Sequence, residues 1–93
     1  MSEKRTSSLM IRDVSYKVRE MSGKDMRGLR ILLASEKEKV RSEAWLVSAC
    51  TLTPTMTEAE ANELPQFTLA KLQNEILRLT NGGDDGEEAA KND

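Results

Sequence analysis

Ninety-three residues carry fourteen Lys/Arg against sixteen Asp/Glu, with no histidine and a single cysteine. Without histidine the commonest general base and every Cys/His zinc pattern are gone, and Cys50 alone cannot form an intramolecular disulfide. The length suits one domain that buries a modest share of its surface, so a partner or self-association would help to hold it.

The net charge of −2 conceals a division. Residues 1–41 hold eleven Lys/Arg against six acids, a charge of +5; residues 42–93 hold three against ten, a charge of −7. A basic front and an acidic back suit nucleic-acid binding or head-to-tail contact between copies, as well as ordinary solvated helix faces. The opening Met1-Ser-Glu-Lys-Arg5 lacks the apolar run of a signal peptide. No stretch approaches the roughly 18 apolar residues of a membrane span, so a cytoplasmic protein without membrane contact is expected.

Residues 1–8 are polar and read as a mobile arm. Val14, Tyr16 and Val18 then alternate with Ser15, Lys17 and Arg19, the period of a short half-buried strand. Leu9 and Ile11 suggest a preceding strand, with Arg12-Asp13 turning between the two; such a hairpin needs helices on its apolar face. Ser22 suits a helix N-cap and Asp25 the positive end of the helix dipole. Met26, Leu29, Leu32 and Leu33 follow as a core-facing stripe. Gly28 interrupts this helix and reads as a site of close packing.

A second helix is expected over residues 36–50, with Val40, Ala44, Val47 and Cys50 as its stripe and Trp45 and Leu46 broadening it. Thr51-Leu-Thr-Pro54 ends it, since Pro54 disfavours helical geometry at Thr53. Thr57 and Glu60 have the spacing of a capping box, opening a short helix that stops before Pro65. Pro65 suits the first turn of a last helix over residues 65–80. Leu69, Leu72, Ile76 and Leu79 lie along one side of that helix, and Asn81-Gly82-Gly83 stops it. Residues 84–93 have nothing to bury and read as disordered.

The expected fold is therefore mainly α, with a short N-terminal strand or hairpin packed on about four helices and a disordered acidic tail. Residues 1–13 form a flexible basic arm or first strand, 14–81 the helical domain and 82–93 a tail or linker.

Candidate chemistry is sparse. Cys50 has no base to activate it and sits on an apolar stripe, as a packed thiol would. Glu58, Glu60 and Glu63 are explained by capping and the helix dipole, and Asp84, Asp85, Glu87 and Glu88 lack the EF-hand pattern. No catalytic residue, metal or cofactor is expected. Lys24, Arg27 and Arg30 recur every third residue along one helix and offer a face for phosphates, but one Trp, one Tyr and one Phe leave little for base stacking. A small helical DNA-binding regulator using that face is the alternative reading.

Taken in order, the segments resemble the tail assembly chaperones of long-tailed bacteriophages. Val18-Arg-Glu-Met-Ser-Gly23 is similar to a "V-R-E-L-T-G" entry in that family. Arg41-Ser-Glu-Ala-Trp-Leu-Val-Ser-Ala-Cys50 is similar to its Arg-initiated apolar helix, and Met56-Thr-Glu-Ala-Glu-Ala-Asn-Glu-Leu64 to its "F-T-E-E-E-A-x-x-L" segment. Ile76-Leu-Arg-Leu-Thr-Asn-Gly82 is similar to its final helix ending in "L-N-G", and Lys91-Asn92 to the end of its acidic tail. The likeness spans residues 14–93; Met21, Thr80 and the Thr51-Leu-Thr-Pro54 loop depart from it.

The resemblance implies a non-enzymatic protein of the bacterial host cytoplasm that coats the tape measure protein, keeps it soluble during tail morphogenesis and is absent from the mature virion. Trp45, Leu69, Leu72 and Ile76 are the expected client surface, or the core just beneath it, and self-association along a filamentous client is compatible with the opposed charges. The resemblance also implies a longer form made by ribosomal frameshifting, for which codons of Ala90-Lys91-Asn92 can supply a slippery adenine run. In that form the acidic tail would link to a second domain that engages the tail tube protein.

Overall fold

The computed structural model of the chain describes residues 5–82. The elements run β1 (Thr6–Ile11), β2 (Val14–Arg19), α1 (Gly23–Ala34), a 3₁₀ turn (Lys39–Arg41), α2 (Ser42–Cys50), β3 (Thr51–Thr53), α3 (Glu58–Asn62) and α4 (Gln66–Thr80). The three strands form one antiparallel sheet in the order β1-β2-β3.

That sheet corrects the mainly α expectation: the described residues hold a three-stranded antiparallel sheet beside four helices, an α+β arrangement. Two local causes account for it. Thr6, Ser7 and Ser8, expected in the arm, pair with Arg19, Val18 and Lys17, because the neighbouring strand offers their backbone a ladder whatever their side-chain polarity. Thr51-Leu-Thr53, expected only to stop a helix, pairs with Lys17 and Val18 across a bulge. Its threonines favour extended backbone as well as helix termination. The expected disordered acidic tail lies outside the described residues.

The β1–β2 turn places Arg12 at φ 49° and Asp13 at φ 68°. Two left-handed residues joining a two-residue hairpin form the turn whose twist matches that of the strands. Leu9 faces Tyr16, Ile11 faces Val14 and Ser7 faces Val18, so one face of the ladder is largely apolar. α4 packs on β1 and β2 and α2 packs on α4, which closes a core of Ile11, Tyr16, Val18, Leu46, Val47, Cys50, Leu69, Leu72, Ile76 and Leu79.

The helix boundaries follow from capping chemistry. Ser22 Oγ accepts from the Asp25 amide while the Asp25 carboxylate accepts from the Ser22 amide. Thr57 and Glu60 make the same reciprocal pair at the start of α3. At the end of α4, Gly82 has φ 96°, a left-handed value that glycine adopts without a Cβ penalty.

The expected single helix over residues 36–50 is divided. The Ser35 hydroxyl accepts from the Glu38 amide and its carbonyl from the Lys39 amide, making a local turn that ends α1 and defers α2 to Ser42. Serine side chains compete in this way with helical backbone bonding.

Candidate functional site

α1 is attached to the rest of the molecule along a narrow seam. A Cβ placed on Gly28 would fall 2.9 Å from two atoms of the Trp45 indole, so the ring of α2 lies against bare helix backbone. Leu32 is the one buried side chain of α1, with Met26 and Leu29 partly buried beside it.

Arg19 fixes the beginning of α1. Its guanidinium pairs with Asp25 at 2.7 Å and donates to the carbonyls of Glu20 and Ala49, joining the end of β2, the first turn of α1 and the last turn of α2. Burial alone would raise the Asp25 carboxyl, but hydrogen bonds from Arg19 and Ser22 outweigh it and hold the group below the usual carboxylate range.

The narrow seam leaves the opposite side of α1 in solvent. Lys24, Arg27, Arg30, Ile31, Leu33 and Ala34 are all exposed. Lys24, Arg27, Ile31 and Ala34 repeat at helical spacing, so the basic and aliphatic residues share one outward face. Ile31 is 71% exposed and Leu33 46%. Neither Lys24, Arg27 nor Arg30 forms an ion pair with another described residue.

The 3₁₀ turn that follows contacts α1 and carries Val40 at 83% exposure. Val40, Arg41, Glu58, Ala59 and Asn62 line an open cleft between that turn and α3. Arg41 holds the cleft together, pairing with Glu38 at 2.6 Å and meeting both carboxylate oxygens of Glu58. Its hydrogen bonds to Glu58 keep that carboxyl below its ordinary value.

The residues singled out from the sequence divide in two. Leu69, Leu72 and Ile76 face the core, with Leu72 and Ile76 fully buried, so they lie beneath the surface and do not contribute to its contact area. Trp45 is half-buried in the seam between α1 and α2. Lys24, Arg27 and Arg30 are brought together on the outer face of α1. Leu33 and Val40, both expected on buried stripes, are exposed; Val40 turns out because the helix it was assigned to is interrupted before Ser42. Ile31 was missed because it falls off the core-facing period, and that displacement is itself the signal for an outward aliphatic residue.

Of the acidic residues weighed as a cluster, Glu58 pairs with Arg41 and Glu60 closes the cap of α3. No group of three or more His, Cys, Asp or Glu is placed to hold a metal among the described residues. Asp84, Asp85, Glu87 and Glu88 lie outside them. No described helix is long and apolar enough to cross a membrane. Comparison with models of known protein families, with curated proteins and with solved structures finds no match to this chain.

Proposed function

We propose that the chain is a non-catalytic chaperone of phage tail assembly, which holds the tape measure protein through the outer face of α1, the 3₁₀ turn and the adjoining cleft. The observation that carries this reading is the pair of outward aliphatic residues Ile31 and Val40, with Lys24, Arg27 and Arg30 along the same helix as Ile31. Aliphatic residues interleaved with cations that form no ion pair among the described residues suit an amphipathic helix that brings both apolar and acidic side chains. The proposed identity of the client rests on the resemblance of the chain's segments, in order, to those of tail assembly chaperones.

Side chains on this scale can support client binding. Burying a Val, Leu or Ile completely gains about 1.5–3 kcal/mol. Covering Ile31 and Val40 therefore offers about 3 kcal/mol or more before ordering costs.

Co-expression tests the reading. A tape measure protein co-expressed with the chain should become more soluble, and should lose that benefit when the chain carries Ile31→Asp and Val40→Asp. A client that aggregates equally with and without the chain would refute the proposal.

The same exposed cations favour one other reading, a nucleic-acid-binding regulator. It predicts duplex-DNA binding that weakens steeply with salt and with Lys24→Gln/Arg27→Gln/Arg30→Gln. Absence of any DNA-induced shift at low salt would remove it.

A further inference from the structure

β1 is an outer strand of the sheet, paired with β2 on one side and with no described strand on the other. The hairpin turn fixes which of its backbone groups face inward. Arg12-Asp13 is a two-residue loop, so Ile11 and Val14 form the hydrogen-bonded pair that closes it. At the far end of the ladder the Glu20 amide donates to the Arg5 carbonyl at 2.9 Å, in the same alternation. Residues 5, 7, 9 and 11 therefore bond inward to β2. The amides and carbonyls of Thr6, Ser8 and Met10 point away from the sheet and meet no backbone partner among the described residues.

The strand carries no guard against pairing. Thr6–Ile11 holds no charge and no proline, and the bulge of the sheet lies in the β2–β3 pair. Edge strands that stay single are usually protected by one of these devices. Met10 adds an apolar side chain that is 68% exposed, and Leu9 is only partly buried on the other face.

We propose that β1 of a second copy of this chain covers the edge, antiparallel, about a two-fold axis passing between the two Leu9 residues. Ser8 and Met10 of each copy then form hydrogen-bonded pairs with Met10 and Ser8 of the other, about four backbone bonds in all. On the face toward the core, Leu9 meets the other copy's Leu9 and Ser7 meets its Ile11. On the outer face the two Met10 side chains lie diagonally, about 7–8 Å apart at the backbone and within reach of each other. Arg5 comes opposite the other copy's Asp13, an exposed carboxylate that forms no ion pair with another described residue.

Charge and apolar contact select this register. The neighbouring one, centred on Ser8, sets Met10 against Thr6 and Arg5 against Ile11, which parts the methionines and leaves the opposite charges unmatched. An overlap of about five residues a side falls below the ~1,200 Å² of a standard interface, so the dimer is weak and grows in with concentration. The edge belongs to β1, which packs on β2 and α4, whereas the proposed client face belongs to α1. The inference is thus independent of any client.

Sedimentation velocity and amide hydrogen exchange on the full chain, from about 20 μM to about 1 mM, test the pairing. The average mass should rise toward that of a dimer. Exchange at the Ser8 and Met10 amides should slow severalfold in parallel, while the Leu9 and Ile11 amides, already bonded to β2, change little. Met10→Lys sets like charges beside each other and should weaken the dimer about tenfold or more with the far-ultraviolet circular dichroism unchanged. If that variant fails to fold, the concentration series on the unsubstituted chain decides the question. A chain still monomeric at about 1 mM, or a dimer whose Ser8 and Met10 amides exchange as fast as in the monomer, would overturn the proposal. So would a folded Met10→Lys chain that dimerises as tightly as the original. Protection of the two amides that does not depend on concentration would place the cover within one copy and overturn it equally.

Discussion

Replacing Gly28 with alanine should destabilise the protein, against the ordinary effect of that substitution in a helix. Elsewhere in a helix interior, alanine is favoured over glycine by about 0.8–1.0 kcal/mol. Here the new methyl would lie 2.9 Å from both Cη2 and Cζ2 of Trp45, about 0.6 Å inside the ~3.5 Å lower edge of favourable carbon–carbon contact. Both atoms belong to one rigid ring system, so relief requires tilting the whole indole or moving α1. Overpacking of this kind costs about 1–3 kcal/mol, which leaves a net loss of about 0–2 kcal/mol once the helix gain is subtracted. With Trp45→Leu the ring is gone, and Gly28→Ala should then stabilise by about 1 kcal/mol. The four proteins of this cycle, unfolded in urea and followed by far-ultraviolet circular dichroism, should show a coupling of about 1–3 kcal/mol. A gain near 1 kcal/mol from Gly28→Ala in both backgrounds would refute the proposed seam.

Arg12→Asn/Asp13→Gly should raise stability by about 1 kcal/mol, since each non-glycine residue in left-handed backbone is disfavoured and Asn-Gly suits this turn; an unchanged unfolding midpoint would contradict that. Asp25→Asn should cost about 1–3 kcal/mol by weakening the cap and leaving Arg19 without its carboxylate. Asp25, Glu58 and Glu75 are all held below their ordinary values, Glu75 chiefly by its hydrogen bonds from Arg78, so their stabilisation is complete above the unfolded-state range. It disappears as pH falls through the lower folded-state values, so stability should decline from about pH 4 downward and decline less in Asp25→Asn. Equal stability at about pH 5 and pH 3 would exclude this linkage. Leu72→Ala should cost about 2–5 kcal/mol by opening the core. Ile31→Ser and Val40→Ser should change stability by only about 0.5 kcal/mol and yet weaken capture of the client, read by co-purification.

The parts of the fold legible in the sequence are those fixed by chemistry within a few residues. Thr57 and Glu60 set the start of α3, Ser22 and Asp25 that of α1, and the Leu69, Leu72, Ile76 and Leu79 stripe marks the buried side of α4. The third strand was not legible, because Thr51-Leu-Thr53 gains its partner only when Val18 is brought beside it, 33 residues back in the chain. The break before α2 was hidden for a different reason: Val40 satisfies the helical period of Ala44 and Val47, while Ser35 spends its hydrogen bonds on a local turn.

Of the two places open to Leu69, Leu72 and Ile76, a client surface or the core just beneath it, they occupy the core. Periodicity finds residues that face inward, so Leu72 and Ile76 stood out although they are wholly buried. On the proposed docking face the aliphatic residues are those that the period leaves over, as Ile31 is on α1. Those residues are free because α1 is held through glycine against an indole and through an arginine–aspartate pair, with only Leu32 fully inserted. A seam this narrow covers little of the helix, so attachment and exposure are two consequences of one packing choice. Displacing α1 from Trp45 should therefore alter both stability and client capture, whereas Ile31→Ser should alter capture alone.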